Sequence, residues 1–200
     1  MPLALPDRII VIATRNRGKA REFGELLGAR FERILDLDDI GFPGDVEEDG
    51  SSFAENARLK AVECSKACAL PVLADDSGLE VFSLGGRPGI HSARYAGPGA
   101  SDGEKIAKLL AELGVAASSR EARFVCALAL ARSGKVLLET VGECRGRISE
   151  VPSGSGGFGY DPVFLLPELA RTYAELPAEE KNRYSHRARA VDSLLRLLGA

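Results

Sequence analysis

Asp75 and Asp76 stand side by side at the end of an apolar run, Val72-Leu73-Ala74-Asp75-Asp76-Ser77-Gly78-Leu79. Such a run reads as a buried strand. Two adjacent carboxylates at its end repel each other, and burying them uncompensated is costly. A hard divalent cation is one remedy. Mg²⁺ is habitually held by one or two carboxylates, with its other positions left to water and phosphate oxygens. A turn or cap in which Asp and Ser bind nearby backbone amides is the other remedy. The segment by itself leaves both open.

Four further stretches carry residue types able to act on a phosphorylated ligand. Ala13-Thr14-Arg15-Asn16-Arg17-Gly18-Lys19 follows an apolar run and opens a helical pattern. A strand-loop-helix turn offers free amides and the positive end of a helix dipole to phosphate. Thr14, Asn16 and Lys19 add donors, and Arg15, Arg17 and Lys19 add charge. The glycine spacing of a Walker loop is absent, and the plain alternative is an N-cap with a basic loop. Glu47-Glu48-Asp49-Gly50 is a solvated acidic loop unless it folds over the aspartate pair, where one glutamate would complete a metal site. Pro152 to Pro162 is dense in glycine, which lets backbone approach a ligand closely. Within it Phe158 and Tyr160 are able to stack on a planar base, worth about 1–3 kcal/mol. In Glu179 to Arg187, the side chains of Lys181, His186 and Arg187 can donate to a base carbonyl or a phosphate, or simply line a solvated helix face. His91, in Gly89 to Tyr95, is expected to be a hydrogen-bonded structural histidine.

The chain of 200 residues suits one sizeable domain, 1–200, with 45% hydrophobic and 28% charged residues, the balance of a soluble globular protein. Its net charge of −3 argues against a general nucleic-acid binder while leaving room for a local basic pocket. It shows no signal peptide, long apolar span or lipidation motif, so a cytoplasmic location without membrane attachment is expected. Cys64, Cys68, Cys126 and Cys144 lack the companions of a metal site and read as reduced core residues.

These stretches need elements to position them. The patterns predict strands over 9–13, 31–37, 124–131 and 136–141, besides the Asp75-Asp76 strand. Helices are predicted over 19–27, 52–69, from 101 through Leu113, and 179–198. Ser52 with Glu55 and Ser101 with Glu104 have the spacing of capping boxes. Early alternation of strand and helix, with a hairpin later, predicts an α/β fold with a mixed sheet.

Taken in order, the motifs resemble the Ham1 family of inosine/xanthosine triphosphate pyrophosphatases. The resemblance runs nearly end to end. It includes Thr14-x-Asn16-x-x-Lys19, Glu48 before Phe53-x-Glu55-Asn56-Ala57, Asp75-Asp76-Ser77-Gly78-Leu79, and Pro88-Gly89 with Ser92-Ala93-Arg94-Tyr95. It continues through Gly157-Phe158-Gly159-Tyr160-Asp161-Pro162, Ala174-Glu175-Leu176, Glu180-Lys181-Asn182 and Ser185-His186-Arg187.

The resemblance implies a homodimer with a long twisted sheet flanked by helices and two lobes around a central cleft. It implies Mg²⁺-dependent hydrolysis of non-standard purine triphosphates (ITP, dITP and XTP) to the monophosphate and pyrophosphate. By motif match, Asp76 is the base and a metal ligand, Glu48 is a metal ligand, and Asp75 supports the metal. Thr14, Arg15, Asn16, Arg17, Gly18, Lys19 and Ser77 would bind substrate. Phe158, Gly159, Tyr160, Asp161, Lys181, His186 and Arg187 would hold base and sugar. The competing readings are a Maf-type pyrophosphatase with another base preference and a nucleotide sensor without turnover.

Overall fold

The computed structural model describes Leu5, residues 7–114 and residues 119–199. Seven strands form one mixed sheet: β1 (Ile9–Ile12), β2 (Arg33–Leu35), β3 (Val72–Val81), β4 (Glu121–Arg132), β5 (Lys135–Ile148), β6 (Phe164–Leu166) and β7 (Arg171–Thr172). Their order is β2-β1-β3-β4-β5-β6-β7. β1 pairs in parallel with β2 and β3, while β6 runs antiparallel to β5 and β7. Among the described residues, five α-helices accompany the sheet: α1 (Arg17–Leu27), α2 (Phe53–Cys64), α3 (Asp102–Leu113), α4 (Ala178–Tyr184) and α5 (His186–Leu197). The expected α/β class with a mixed sheet is the one found. Among the described residues no helix is long and apolar enough to cross a membrane.

The chain divides into two compact units, each with its own core. The first comprises Met1–Asp76, Cys126–Gly142 and His186–Ala200; the second comprises Ser77–Val125 and Glu143–Ser185. In the first, Phe23 and Leu27 of α1 pack with Ile10, Leu73, Leu128 and, from α5, Val191 and Leu194. Phe23 is fully buried, which stabilises the unit by about 1.5–3 kcal/mol relative to exposure. In the second, Ile106, Leu109 and Leu113 line one face of α3 and meet Leu79, Phe124, Phe164 and Tyr173. Phe124, Phe164 and Tyr173 form an aromatic cluster with centroids 4.5 to 5.7 Å apart.

Local chemistry explains the ends of the elements. The Asn16 side chain caps α1 by accepting from the Lys19 amide (3.1 Å). Ser101 and Glu104 form the expected reciprocal capping box of α3. At α2 the box is shifted: Ser52 Oγ accepts from the Glu55 amide, while the Glu55 carboxylate takes the amide and hydroxyl of Ser51 instead. α2 stops at Cys64, short of the predicted Ala69, where Ser65 turns its hydroxyl back onto the Val62 carbonyl (3.0 Å). The predicted final helix is two. Ser185 takes extended backbone (ψ 150) and separates α4 from α5. Gly142 of β5 lies directly against the α5 backbone. A Cβ at this position would meet Ala190 Cα at 2.9 Å, so only glycine lets the start of α5 settle there. Cys64, Cys126 and Cys144 are buried and Cys68 is half-buried.

Candidate functional site

The first unit gathers a cluster of buried and half-buried charges around the end of β3. Asp75 and Asp76 are 2% and 8% exposed. Lys19 of α1 reaches Asp75, with Nζ 2.8 Å from Oδ2. Lys60 of α2 lies 2.6 Å from Glu48 and donates to the Asp75 carbonyl at 3.0 Å. One turn before Lys60, on the same helix face, Asn56 Nδ2 donates to Asp76 Oδ2 (2.9 Å). The Oδ1 of the same amide accepts from the Gly50 amide (2.8 Å). Asn56 thereby ties the acidic loop 47–50 to the aspartate pair. A Cβ at position 50 would press on Asn56 Oδ1 at 2.7 Å, so the glycine is what permits the approach.

The two aspartates differ electrically. Burial pushes Asp75 upward, but Lys19, Lys60 and Arg187 overcome it and hold its carboxyl well below the usual range. For Asp76, burial pushes the carboxyl up to about 6; Asn56 and Lys19 oppose this, and the charges of Glu48 and Asp75 add to it. The shift at Asp76 is first a cost of burial, to which the neighbouring negative charges add. Two neighbouring carboxylates with opposite shifts make a recognisable division of labour, one permanently charged and one able to exchange a proton. The donors are hard oxygens, the set suited to Mg²⁺ rather than to a thiophilic metal. Among the described residues no three carboxylate, imidazole or thiolate groups form a ready-made metal cage. That fits an ion held by one or two protein carboxylates and completed by phosphate and water, because a divalent ion at Asp76 relieves the crowding of charge there.

Of the first phosphate-binding stretch, Thr14 Oγ1 accepts from the Asn16 amide (3.2 Å), Asn16 caps α1, Gly18 sits in its first turn, and Arg17 is exposed. The first-turn amides of α1 have no acceptor within the helix. The Arg15 guanidinium turns to loop 36–45. His186 and Arg187 open α5 in this same unit, both buried. Arg187 Nη1 lies 2.8 Å from Glu22 Oε2 on α1, with side chains 6% and 8% exposed.

The second unit holds the aromatic and glycine-rich stretch. Asp161 Oδ2 accepts from the Phe158 amide (2.9 Å) and from Lys181 Nζ (2.6 Å). Lys181 is itself buried, its ammonium 5.2 Å from the centroid of Phe158 and 5.3 Å from that of Tyr173. The Gly159 amide donates to Asp102 at the start of α3 (2.7 Å). Gly157 has φ +71, and a Cβ there would overlap the Asp161 carboxylate. Tyr160 is buried, with its hydroxyl on the Ser92 carbonyl (2.9 Å), so Phe158, half-buried, is the more accessible aromatic of the two. Ser77 begins this unit directly after Asp76 and is half-buried. Glu175 caps Thr172, and His91 is exposed beside Arg94.

Asn56, Lys60, Glu22 and Asp102 were not anticipated as contributors. Asn56 and Lys60 left a trace in the sequence, a polar pair spaced i, i+4 just after the acidic loop. Glu22 lies three residues after Lys19, on a neighbouring position of the α1 face.

A model of the Ham1 family matches residues 10–197. The dITP/XTP pyrophosphatase of Geobacillus kaustophilus is 55% identical over 186 residues, covering 92% of this chain and 91% of that protein. The dITP/XTP pyrophosphatase of Bacillus subtilis is 47% identical, covering 95% and 96%. Among solved structures, a HAM1 protein from Coxiella burnetii superposes with a TM-score of 0.86 at 43% identity, covering 96% of this chain and 98% of that one.

Proposed function

We propose, for a chain that belongs to the Ham1 family, that it hydrolyses non-standard purine nucleoside triphosphates (ITP, dITP and XTP) to the monophosphate and pyrophosphate. The observation that carries this reading is the single cluster of Glu48, Asp75 and Asp76 interleaved with Lys19 and Lys60. A protein that only binds a nucleotide gains little from clustered acids beside phosphate-binding cations.

Asp76 is the general base in this reading. Burial raises its carboxyl above the usual carboxylate range in the metal-free protein, the direction that suits a proton acceptor, and general-base help of this kind is worth about 10²–10⁴ in rate. That water attacks the α-phosphorus, its oxygen forms the new P–O bond, and the bond to the β-bridging oxygen breaks. Lys19 and the first-turn amides of α1 lie with the phosphates and receive the charge of the pyrophosphate leaving group. Asn56 orients Asp76, and Lys60 holds Glu48 in place. Glu48 and Asp76 would hold Mg²⁺, with Asp75 in a supporting role beside them; when bound, the ion would offset charge as the phosphate is attacked.

Base and sugar fall to Phe158, Gly159, Tyr160, Asp161, Lys181, His186 and Arg187. Hypoxanthine and xanthine carry a carbonyl at C6 where adenine carries an amine. Donors aimed at C6 are left unpaired by adenine, and sites of this kind discriminate by about 10⁴. A homodimer acting in the cytoplasm belongs to the same reading. The test is pyrophosphate release from ITP, XTP, GTP and ATP, with Mg²⁺ and with EDTA. Metal-dependent turnover strongly favouring ITP and XTP is expected. Equal turnover of all four would overturn the base assignment, and ITP binding without turnover would leave only a nucleotide sensor.

A further inference from the structure

We infer that Arg15 is a positioning residue that fixes Glu48 by clamping loop 36–45, and that it is not a phosphate ligand; the inference rests on the metal role proposed for Glu48. Arg15 lies in the stretch expected to bind phosphate, directly after β1. Its Nη1 donates to Asp38 Oδ1 (2.5 Å), and its Nη2 donates to both the Phe42 carbonyl (3.0 Å) and the Gly44 carbonyl (3.0 Å). Its Nε lies 3.3 Å from Asp45 Oδ1. A guanidinium has five N–H donors; three of them donate to this one loop, and Nε lies within ion-pair distance of it. Recognition of a phosphate by arginine typically uses two parallel N–H groups. Arg15 has no such pair left unless it first releases the loop.

The loop needs an external tie. Residues 36–45 contain neither helix nor strand. Their local order comes from short-range turns: Asp36 Oδ1 accepts the amides of Asp38 (2.9 Å) and Asp39 (3.0 Å), and the Phe42 amide reaches the Leu37 carbonyl (2.9 Å). Gly41 and Gly44 take positive φ of 64 and 69, which lets the chain fold tightly enough to turn its carbonyls toward Arg15. Two of those carbonyls, those of Phe42 and Gly44, point at a single guanidinium. A planar fork suits this arrangement, and a lysine ammonium, a point charge with three rotatable donors, does not.

The consequence reaches Glu48. At one end, Arg15 holds Asp45. At the other, Asn56 holds the Gly50 amide. The intervening residues 46–49 are a short span anchored on both sides, and Glu48 sits inside it, against Lys60. With both anchors in place, the entropy of ordering this span is met before any metal or nucleotide arrives. With the Arg15 anchor removed, Glu48 hangs from the Asn56 side alone. The ordering cost then falls on metal binding, and the Mg²⁺ requirement rises.

The experiment compares the full chain with Arg15→Ala and Arg15→Lys by two readouts. The first is amide hydrogen exchange over residues 36–50 in metal-free protein. The second is the Mg²⁺ concentration giving half-maximal ITP hydrolysis. Both variants should exchange roughly tenfold faster in this segment, the loss expected for one to two net hydrogen bonds. Both should also need several-fold more Mg²⁺. Unchanged protection in both variants overturns the clamp. Restoration of both readouts by lysine overturns it too, because a point charge would then suffice, as for a phosphate contact. Faster exchange with an unaltered Mg²⁺ requirement overturns the link from the loop to Glu48. Glu48→Gln in the otherwise wild-type chain separates the premises: if it leaves the Mg²⁺ requirement unchanged, the metal role of Glu48 fails, and the exchange readout alone decides the clamp.

Discussion

Asp76→Asn should make this protein more stable while it removes turnover. The carboxyl is 8% exposed and pushed up from 3.8 to about 6, by burial first and by Glu48 and Asp75 in addition, against the pull of Asn56 and Lys19. A shift of about two pH units is worth about 3 kcal/mol at 1.36 kcal/mol per unit. The sign follows from linkage. The folded value lies above the unfolded one, so the folded state binds more protons between about pH 4 and pH 6. Folding is unpenalised below the unfolded value and carries the full penalty above the folded one. A neutral amide escapes this penalty, and its Oδ1 still accepts the hydrogen bond from Asn56. In EDTA at about pH 8, urea denaturation should therefore find the variant about 3 kcal/mol more stable, a rise in Tm of roughly 6–12 °C for a chain of this size. The gain should shrink toward zero by about pH 4, as the wild-type carboxyl becomes neutral in both states. Turnover of ITP should fall by about 10²–10⁴. Mg²⁺ should stabilise the wild type more than the variant, since binding to the folded state alone raises apparent stability. A variant that is no more stable at pH 8, or one whose gain is the same at both pH values, would refute the assignment of Asp76 as the strained carboxylate.

Arg187→Ala leaves Glu22, which is 6% exposed, as a buried charge without its arginine, a loss of about 3–5 kcal/mol. Adding Glu22→Gln should return most of that stability in urea titrations without restoring the ITP over ATP preference; a double variant with the wild-type ratio removes Arg187 from base reading. Gly157→Ala forces a side chain into φ +71 and onto the Asp161 carboxylate, so KM for ITP should rise about tenfold with a smaller change in kcat, the signature of lost uniform binding. An unchanged KM would show that the Phe158–Asp161 turn does not hold the substrate.

The sequence revealed those parts of the fold whose pattern is local. The apolar run of β1, the Ser101/Glu104 box of α3 and the Leu-rich face of that helix appear where their spacing predicts. The break at Ser185 was hidden because Glu179 to Arg187 carries a single apolar residue, Tyr184, so no hydrophobic period marks an end there, even though serine before His186 is itself a cap-type residue. β6 and β7, of three and two residues, are too short for any period to show. The carboxylates of the candidate site were legible because acids at the end of an apolar run demand an explanation. Asn56 and Lys60 were not, because on a helix next to an exposed loop they look like ordinary surface residues; only the fold reveals that Asn56 is 2% exposed and bonded to Asp76. Arg15 shows the opposite problem. Its charge and place suggest a phosphate ligand, and only its four contacts with loop 36–45 reveal a strut.

The way the chain is shared between its two units carries a consequence for how such a protein changes over time. The first unit is stitched from three separated stretches and the second from two, with crossings after Asp76, Val125, Gly142 and Ser185. Two of those crossings cut through Asp75-Asp76-Ser77 and Ser185-His186-Arg187, and the other two bound segments of β4 and β5. No uninterrupted piece of gene encodes either unit. Recombination therefore has no ready-made module to exchange, and neither truncation nor fusion at a single junction delivers one half intact. Altered base preference has to arrive through individual codons within a scaffold inherited whole.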